Sequence, residues 1–449
     1  MYTSLGYHTF VISKSLTREE ADLLFEELKK YRNETGEIYI KDSRRYNHED
    51  PFGRHYDIVY LGQNKGIWWK MRFSNKGFCI NEEYKPCSIK AVINPKVLVG
   101  EKSYIIAANA GYLRDVEEIF DYEARKISLK LAGFHQYSLN RIDYCVNFDI
   151  SELKIDCPPD LMKRLPGMLM TLIKCGDIPD HFTEEYGESE NGEYEFYLKS
   201  KSIVINCYWK FVDLRRNFIG CKDLKKSYDI IRFEVQFKYP KVCTISSDIK
   251  KERESQRKLL VEKIRKQDFM KDQSTLGEGE KKQLINEYRN SCLLDNVAIM
   301  KKMLSDERCG ETIENYFNKV VKSGDYYTFD KAKKTIELKV PSRKKVARLT
   351  NALQMVHDFR GIAKVKAAFR DREEGKLEEF RRSLRDLDDI HVNPVTIPEE
   401  WGIDYIPNLL DNYFILCAEE QRKIQDEIAK EQLLQEYITD CKKRKVPWI

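Results

Sequence analysis

The sequence predicts an α+β protein: an N-terminal region with a central antiparallel sheet and covering helices, followed by a mainly α-helical C-terminal region. Three observations carry this expectation. Segments 141–149 (RIDYCVNFD), 201–210 (KSIVINCYWK) and 230–239 (IIRFEVQFKY) alternate polar and apolar residues with the two-residue period of a strand. Further strand-like segments precede them, separated by stretches of helical period. Beyond about Ser246 the apolar spacing is almost wholly helical.

Taken in order, GYHTFVIS reads as a strand, and Thr17 with Glu20 as a capping box opening an amphipathic helix to about Tyr31. EIYIKD follows as a strand. HYDIVYLG (55–62) and GIWWKMRF (66–73), separated by Gln63, Asn64 and Lys65, read as a hairpin, and CSIKAVINPKVLVG adds another strand. A helix is expected from about Tyr112 to Leu131, and a second over 160–175 with an interruption at Pro166. The highly charged stretch from Asp248 to about Phe269 reads as a helix, and GEGEKKQ (277–283) as a further turn. These changes divide the chain into an α+β domain over 1–245, a charged helical linker over 246–305 and a helical domain over 306–449. The short helices between Glu311 and Phe359 are spaced as in a helix-turn-helix or winged-helix unit, with Arg343, Lys344, Lys345 and Arg348 near one helix start. They serve duplex DNA in one reading and form a solvated basic face in the other. The amphipathic C-terminal helix suits packing or self-association.

With 449 residues, 42% hydrophobic and 12% aromatic, the chain can build two or three cores. Its net charge of +5, spread over that length, permits nucleic-acid binding without demanding it. The 12 cysteines include no Cys-x-x-Cys pair and follow no secretory signal, which places reduced thiols in a cytoplasmic protein. No apolar run approaches the roughly 20 residues that span a bilayer.

The polar faces of the three strands carry the chemistry. Arg141, Asp143, Cys145, Asn147 and Asp149 share one face, as do Ser202, Asn206, Tyr208 and Lys210, and likewise Arg232, Glu234, Gln236 and Lys238. Asp143 and Glu234 sit centrally in strands with apolar opposite faces, so each is expected to be paired or to bind a cation, with Asp149 a third candidate ligand; Mg²⁺ or Mn²⁺ suits such oxygens. Ion pairing with Arg141 and Arg232, two positions away, satisfies the same four residues. Tyr197, Lys199 and Lys201, with Arg215, Arg216, Lys222, Lys225 and Lys226 after them, interleave aromatic rings and cations as single-stranded DNA requires, and as a solvated loop face also shows. None of the seven histidines forms a His-hydrophobic-His pair; His135, six residues before Arg141, reads as a loop or core residue.

The Arg-Ile-Asp strand ending in Asp149, the turn YLKSKS (197–202), the strand VINCYWK and the strand IRFEVQFK resemble, in order and wording, the Rep_trans-type rolling-circle replication initiators and their relatives among conjugative-element relaxases. The likeness covers roughly residues 85–240, with INPKVLVG (93–100) and HVNPVTIPEEW (391–401) resembling further segments. Lys199 stands where that family has Gly, and Trp209 where it has Asp. The resemblance implies a site-specific single-strand endonuclease and DNA strand transferase with Tyr208 as nucleophile, Lys210 beside it, and Tyr197 as the rival tyrosine. It implies a divalent metal held by Asp143, Glu234 and Asp149. DNA contacts would come from Arg141, Arg232, Tyr197, Lys199 and Lys201, and from the helix beginning at Arg343. Origin DNA, exposed as a hairpin, is the expected partner, with a host helicase and a second copy of the chain as others. A relaxase acting on a transfer origin, and a non-catalytic DNA-binding protein retaining the fold, are the alternatives; Trp209 keeps the latter open.

Overall fold

Alternation of apolar and polar side chains turns one face of each strand toward a core, and that pattern builds most of the sheet. The computed structural model describes residues 5–42, 54–60, 65–73, 87–184, 195–217, 222–270, 282–285, 287–288, 295–370 and 374–444. The expected hairpin connection at Gln63 and Asn64, and residues 277–281 of the acidic-basic run, lie outside them. The strands are β1 (Leu5–Leu16), β2 (Ile38–Asp42), β3 (Arg54–Tyr60), β4 (Ile67–Phe73), β5 (Cys87–Ile93), β6 (Ser138–Asp149), β7 (Thr183–Glu184), β8 (Glu195–Lys199), β9 (Ile203–Trp209) and β10 (Ile230–Phe237). Among the described residues they form one ten-stranded sheet in the order β2-β3-β4-β5-β1-β6-β10-β9-β8-β7. The pairings β2–β3, β3–β4, β4–β5, β1–β5, β1–β6, β9–β10, β8–β9 and β7–β8 are all antiparallel.

The chain divides into two compact units that interleave in sequence: residues 1–147 with 180–316, and residues 148–179 with 317–449. This is not the division that composition suggests at 245 and 305. The charged stretch after Ser246 belongs to the first unit, because Arg253 and Arg257 both bond the Asp295 carboxylate at 3.1 and 2.6 Å. Segment 148–179 belongs to the second, where buried Asp177 accepts from Lys366 at 2.6 Å and pairs with Lys322 at 3.2 Å.

In the first unit the capping box forms as expected. Thr17 Oγ1 accepts from the Glu20 amide at 3.1 Å and Glu20 Oε2 accepts from the Thr17 amide at 2.8 Å, opening α1 (Arg18–Thr35). The helix runs four residues beyond the expected Tyr31 to a C-cap at Gly36, whose φ of 66° is left-handed. A short helix α2 (Pro95–Leu98) follows β5, and α3 (Leu113–Ile127) precedes β6. Gly6 permits the approach that matters for the site: a Cβ there would lie 1.9 Å from Ala108 O, so only glycine lets the 103–109 segment lie against β1. Tyr7 and Ala108 then exchange backbone hydrogen bonds of 2.7 and 3.1 Å. The apolar face is assembled by register, pairing Phe233 with Cys207, Val235 with Ile205 and Phe237 with Ile203. Tyr144 on β6 adds an edge-on contact to Phe237, and its hydroxyl donates to Met303 O at 2.7 Å. Helices α6 (Lys210–Asn217), α7 (Tyr239–Met270) and α8 (Asp295–Met303) belong to this unit, and α9 (Asp306–Val320) begins in it.

The second unit holds α4 (Pro159–Met162), α5 (Leu165–Lys174), α10 (Phe329–Lys339), α11 (Arg343–Phe359), α12 (Ile362–Arg370), α13 (Glu374–Asp389) and α14 (Leu409–Arg444), with a small pair β11 (Tyr326–Tyr327) and β12 (Tyr405–Ile406). Pro166 does not interrupt a helix; it stands in the first turn of α5, where its missing N–H has no helical acceptor to lose. Ala332, Ile336, Leu349, Leu353, Leu387 and Val392 form one buried cluster joining α10, α11 and α13. The eight cysteines that can be described are all free thiols, and no described helix is long and apolar enough to cross a membrane.

Candidate functional site

The register between β9 and β10 builds the site. Tyr208 lies opposite Arg232 and Asn206 opposite Glu234, so the polar positions of both strands fall on one face. On the next strand outward, Glu195 is opposite Tyr208 and Tyr197 opposite Asn206. On the other side β6 contributes Asp143 and Asn147. The half-buried Tyr208 hydroxyl donates to Glu234 Oε1 at 2.9 Å. Arg232, with no exposed surface, donates from Nε to Asn147 Oδ1 at 2.7 Å and from Nη2 to Ile105 O at 2.7 Å. Its Nη1 lies 3.7 Å from Glu234 Oε1, without a hydrogen-bond partner among the described residues.

Lys210 is not a strand residue as expected. The chain turns into α6 there, so its buried ammonium folds back over the Tyr208 ring at 5.5 Å and donates to Asp213 Oδ2, one helical turn on, at 2.6 Å. Trp209 points to the opposite face, in register with Ile231. It packs against Phe211 and Tyr228, and its indole N–H donates to Tyr228 O. An aspartate at that position of this strand would face the core, so Trp209 takes nothing from the polar face.

Arg141 grips Asp143 through two hydrogen bonds of 3.0 and 2.7 Å. Burial raises the Asp143 carboxyl above its usual range against the pull of Arg141. Burial also raises Glu234, opposed by Arg232 and Lys210 and reinforced by Asp143. The two carboxylates thus repel each other, a tension that a cation relieves. Among the described residues no three His, Cys, Asp and Glu side chains converge to hold a metal ion. Both Asp143 oxygens already accept from Arg141, and Glu234 Oε1 accepts from Tyr208. Asp149 belongs to the other unit, and its carboxylate accepts from the backbone N–H and the hydroxyl of Ser151 at 3.1 and 2.6 Å.

Two residues that the strand pattern does not reveal also belong to the site. Lys96, at the start of α2, is 2% exposed; its ammonium donates to Ser103 O and lies 5.7 Å from the Tyr104 ring. Burial, then Arg232 and Lys210, lower its pKa to about 7. His8 is the extra residue of a β-bulge in β1, between the Tyr7–Tyr144 and Thr9–Asp143 pairs. Burial, then Arg232, Lys210, Lys96 and Arg141, hold its imidazole neutral. No local sequence signal marks a bulge of this kind. His135 pairs instead with Glu117.

The remaining candidates take different places. Tyr197 is half-buried on β8, while Lys199 and Lys201 are exposed at the β8–β9 turn. In the second unit, Lys345 and Arg348 both bond Asp386 on α13, the former at 2.9 Å, and Arg348 also donates to Ser383 Oγ at 3.2 Å. Arg343 and Lys344 are exposed.

No protein-family profile matches the chain, and no curated protein matches it. One solved structure, of a rolling circle replication initiator protein from Geobacillus stearothermophilus, aligns over 53% of this chain and 74% of its own length, at 12% sequence identity and a TM-score of 0.25. At that TM-score the likeness carries no argument about chemistry.

Proposed function

We propose that the chain nicks one strand of DNA through Tyr208, leaving a 5′-phosphotyrosine link and a free 3′-OH from which rolling-circle replication begins. The observation that carries this reading is the 2.9 Å hydrogen bond from Tyr208 to Glu234, set between the Arg232 and Lys210 cations. Burial and Glu234 push the Tyr208 phenol well above its ordinary pKa, so a free phenolate is not the resting state. Attack must therefore be coupled to proton transfer. Glu234, whose own proton affinity burial has raised, accepts the phenolic proton as the Tyr208 oxygen bonds to phosphorus. The P–O3′ bond breaks, and the 3′ oxygen takes a proton from water to leave as a hydroxyl. Lys210 and Arg232 stabilise the charge that develops on the phosphate oxygens. A divalent cation, with Asp143 as its carboxylate ligand while Glu234 takes the phenolic proton, would polarise the same phosphate.

The resemblance of the three strands to replication initiators supports the substrate. Replication and transfer origins demand the same chemistry, so a relaxase is served equally by this site. The experiment is covalent capture: the full chain is incubated with labelled single-stranded origin DNA and Mg²⁺ and run on a denaturing gel. A shifted band is expected from the wild type and none from Tyr208→Phe, with DNA binding retained. An adduct that persists in Tyr208→Phe moves the nucleophile to Tyr197, and its absence from the wild type leaves a non-catalytic DNA-binding protein.

A further inference from the structure

A pocket of about 190 Å³ opens beside Tyr208, lined among others by Glu195, Asn206, Asp213 and Arg216. That is below the ~300–1,000 Å³ of sites that enclose drug-sized ligands, so it suits one small planar group rather than a whole nucleotide. Its floor carries an unmet demand. Asn206 Oδ1 is buried and has no hydrogen-bond partner among the described residues. An acceptor in that state costs free energy until a donor reaches it, so it marks a place where a ligand donor is missing. The other acceptors differ in their commitments. Asp213 already takes Lys210 on Oδ2 and Asn217 Nδ2 on Oδ1, at 2.6 and 2.9 Å. Glu195 stands opposite Tyr208 across the β8–β9 pairing, so its carboxylate lies at the same level of the sheet as the candidate nucleophile.

We propose that this pocket seats a single nucleobase bearing an exocyclic amino group, with Asn206 and Glu195 as the acceptors that select it over thymine. The inference rests on the nicking reading for its setting, since a base next to the attacked phosphate would lie beside Tyr208. The selectivity follows from the acceptors alone. Cytosine, adenine and guanine each present an amino group whose two hydrogens can serve both acceptors; thymine has a single N3–H flanked by carbonyl oxygens, so it serves one acceptor and turns a carbonyl toward the other. Arg216 at the pocket edge supplies a cation for a flanking phosphate.

The test uses free nucleosides, which contain no phosphodiester and so report the pocket without any nicking. Saturation-transfer NMR on the full-length protein compares deoxycytidine, deoxyadenosine and thymidine. Loss of one buried hydrogen bond predicts at least about tenfold weaker binding of thymidine than of the better amino-bearing nucleoside. Asn206→Leu and, separately, Glu195→Gln should each narrow that gap. Equal binding of thymidine, no binding of any nucleoside, or full discrimination in both variants overturns the proposal. The two readings fail separately: discrimination without covalent capture leaves a base pocket and removes the nicking chemistry, while capture without discrimination does the reverse.

Discussion

The hydrogen bond between Tyr208 and Glu234 follows from the register that sets Tyr208 opposite Arg232 and Asn206 opposite Glu234, which alternation does not fix; the two-residue period made it legible that both lie on polar strand faces. Their partners were legible too: Asp143, Arg141, Arg232 and Glu234 do form both of the ion pairs that their spacing allows. Lys96 and His8 were not legible, because each reaches the site through a feature without local signature, the Gly6 approach of segment 103–109 in one case and a β-bulge in the other. Lys96 gives a pH prediction. A lysine whose folded pKa falls to about 7 from an ordinary 10.5 binds fewer protons when folded than when unfolded between those values, so stability should rise with pH across that window. Below about 7 both states are protonated and the cost of burying the charge is constant. Lys96→Met should therefore gain most stability at neutral pH and progressively less toward pH 10.5, as read from urea unfolding midpoints; a gain that does not change with pH removes the buried cation from the account. The carboxylates give another. Asp143→Asn relieves the repulsion on Glu234 and should leave the fold intact while losing the Mg²⁺-dependent DNA cleavage, whereas full wild-type activity in chelator rejects the metal.

Among the elements, α6 and α11 diverge most from a strand-and-helix reading of their residues. Chain reversal into a helix at Lys210 converts an expected strand lysine into a buried cation above the Tyr208 ring. The change of period from two to about 3.6 occurs at that single residue, which no window of pattern can locate. In α11, three residues between it and α10 give the tight connection expected of a helix-turn-helix, but the four basic residues at its start do not act alike. Lys345 and Arg348 are committed to Asp386, whose carboxyl they hold below its ordinary range against the effect of burial, and they fasten α11 to α13. Arg343 and Lys344 are the exposed pair. Arg343→Ala with Lys344→Ala should flatten the slope of log affinity against log salt for duplex DNA by about 1.8, roughly 0.9 for each lost phosphate contact, with the melting temperature nearly unchanged. Lys345→Ala with Arg348→Ala should do the opposite, lowering stability by an amount on the order of 1 kcal/mol with little change of slope. A salt slope that moves only in the second variant identifies the wrong pair as the contacts.

At the scale of the whole molecule, composition foretold two kinds of architecture, a sheet-bearing unit and a helical one, and misplaced their division. The reason is that the chain leaves the first compact unit after Asn147, contributes 148–179 to the helical unit through the buried Asp177 cluster, and returns. Such an excursion keeps ordinary helical spacing and alters no composition, so only the three-dimensional pairing of Asp177 with Lys322 and Lys366 exposes it. The sheet unit alone nevertheless holds Tyr208, Glu234, Asp143, Lys210, Arg232, Lys96 and His8. The most direct measurement is to digest the full chain after reaction with single-stranded origin DNA and sequence the nucleotide-bearing peptide by mass spectrometry. The account predicts one modified residue, Tyr208, joined to a 5′ phosphate; a phosphate on Tyr197 or any other residue, or an unmodified chain beside cleaved DNA, contradicts it.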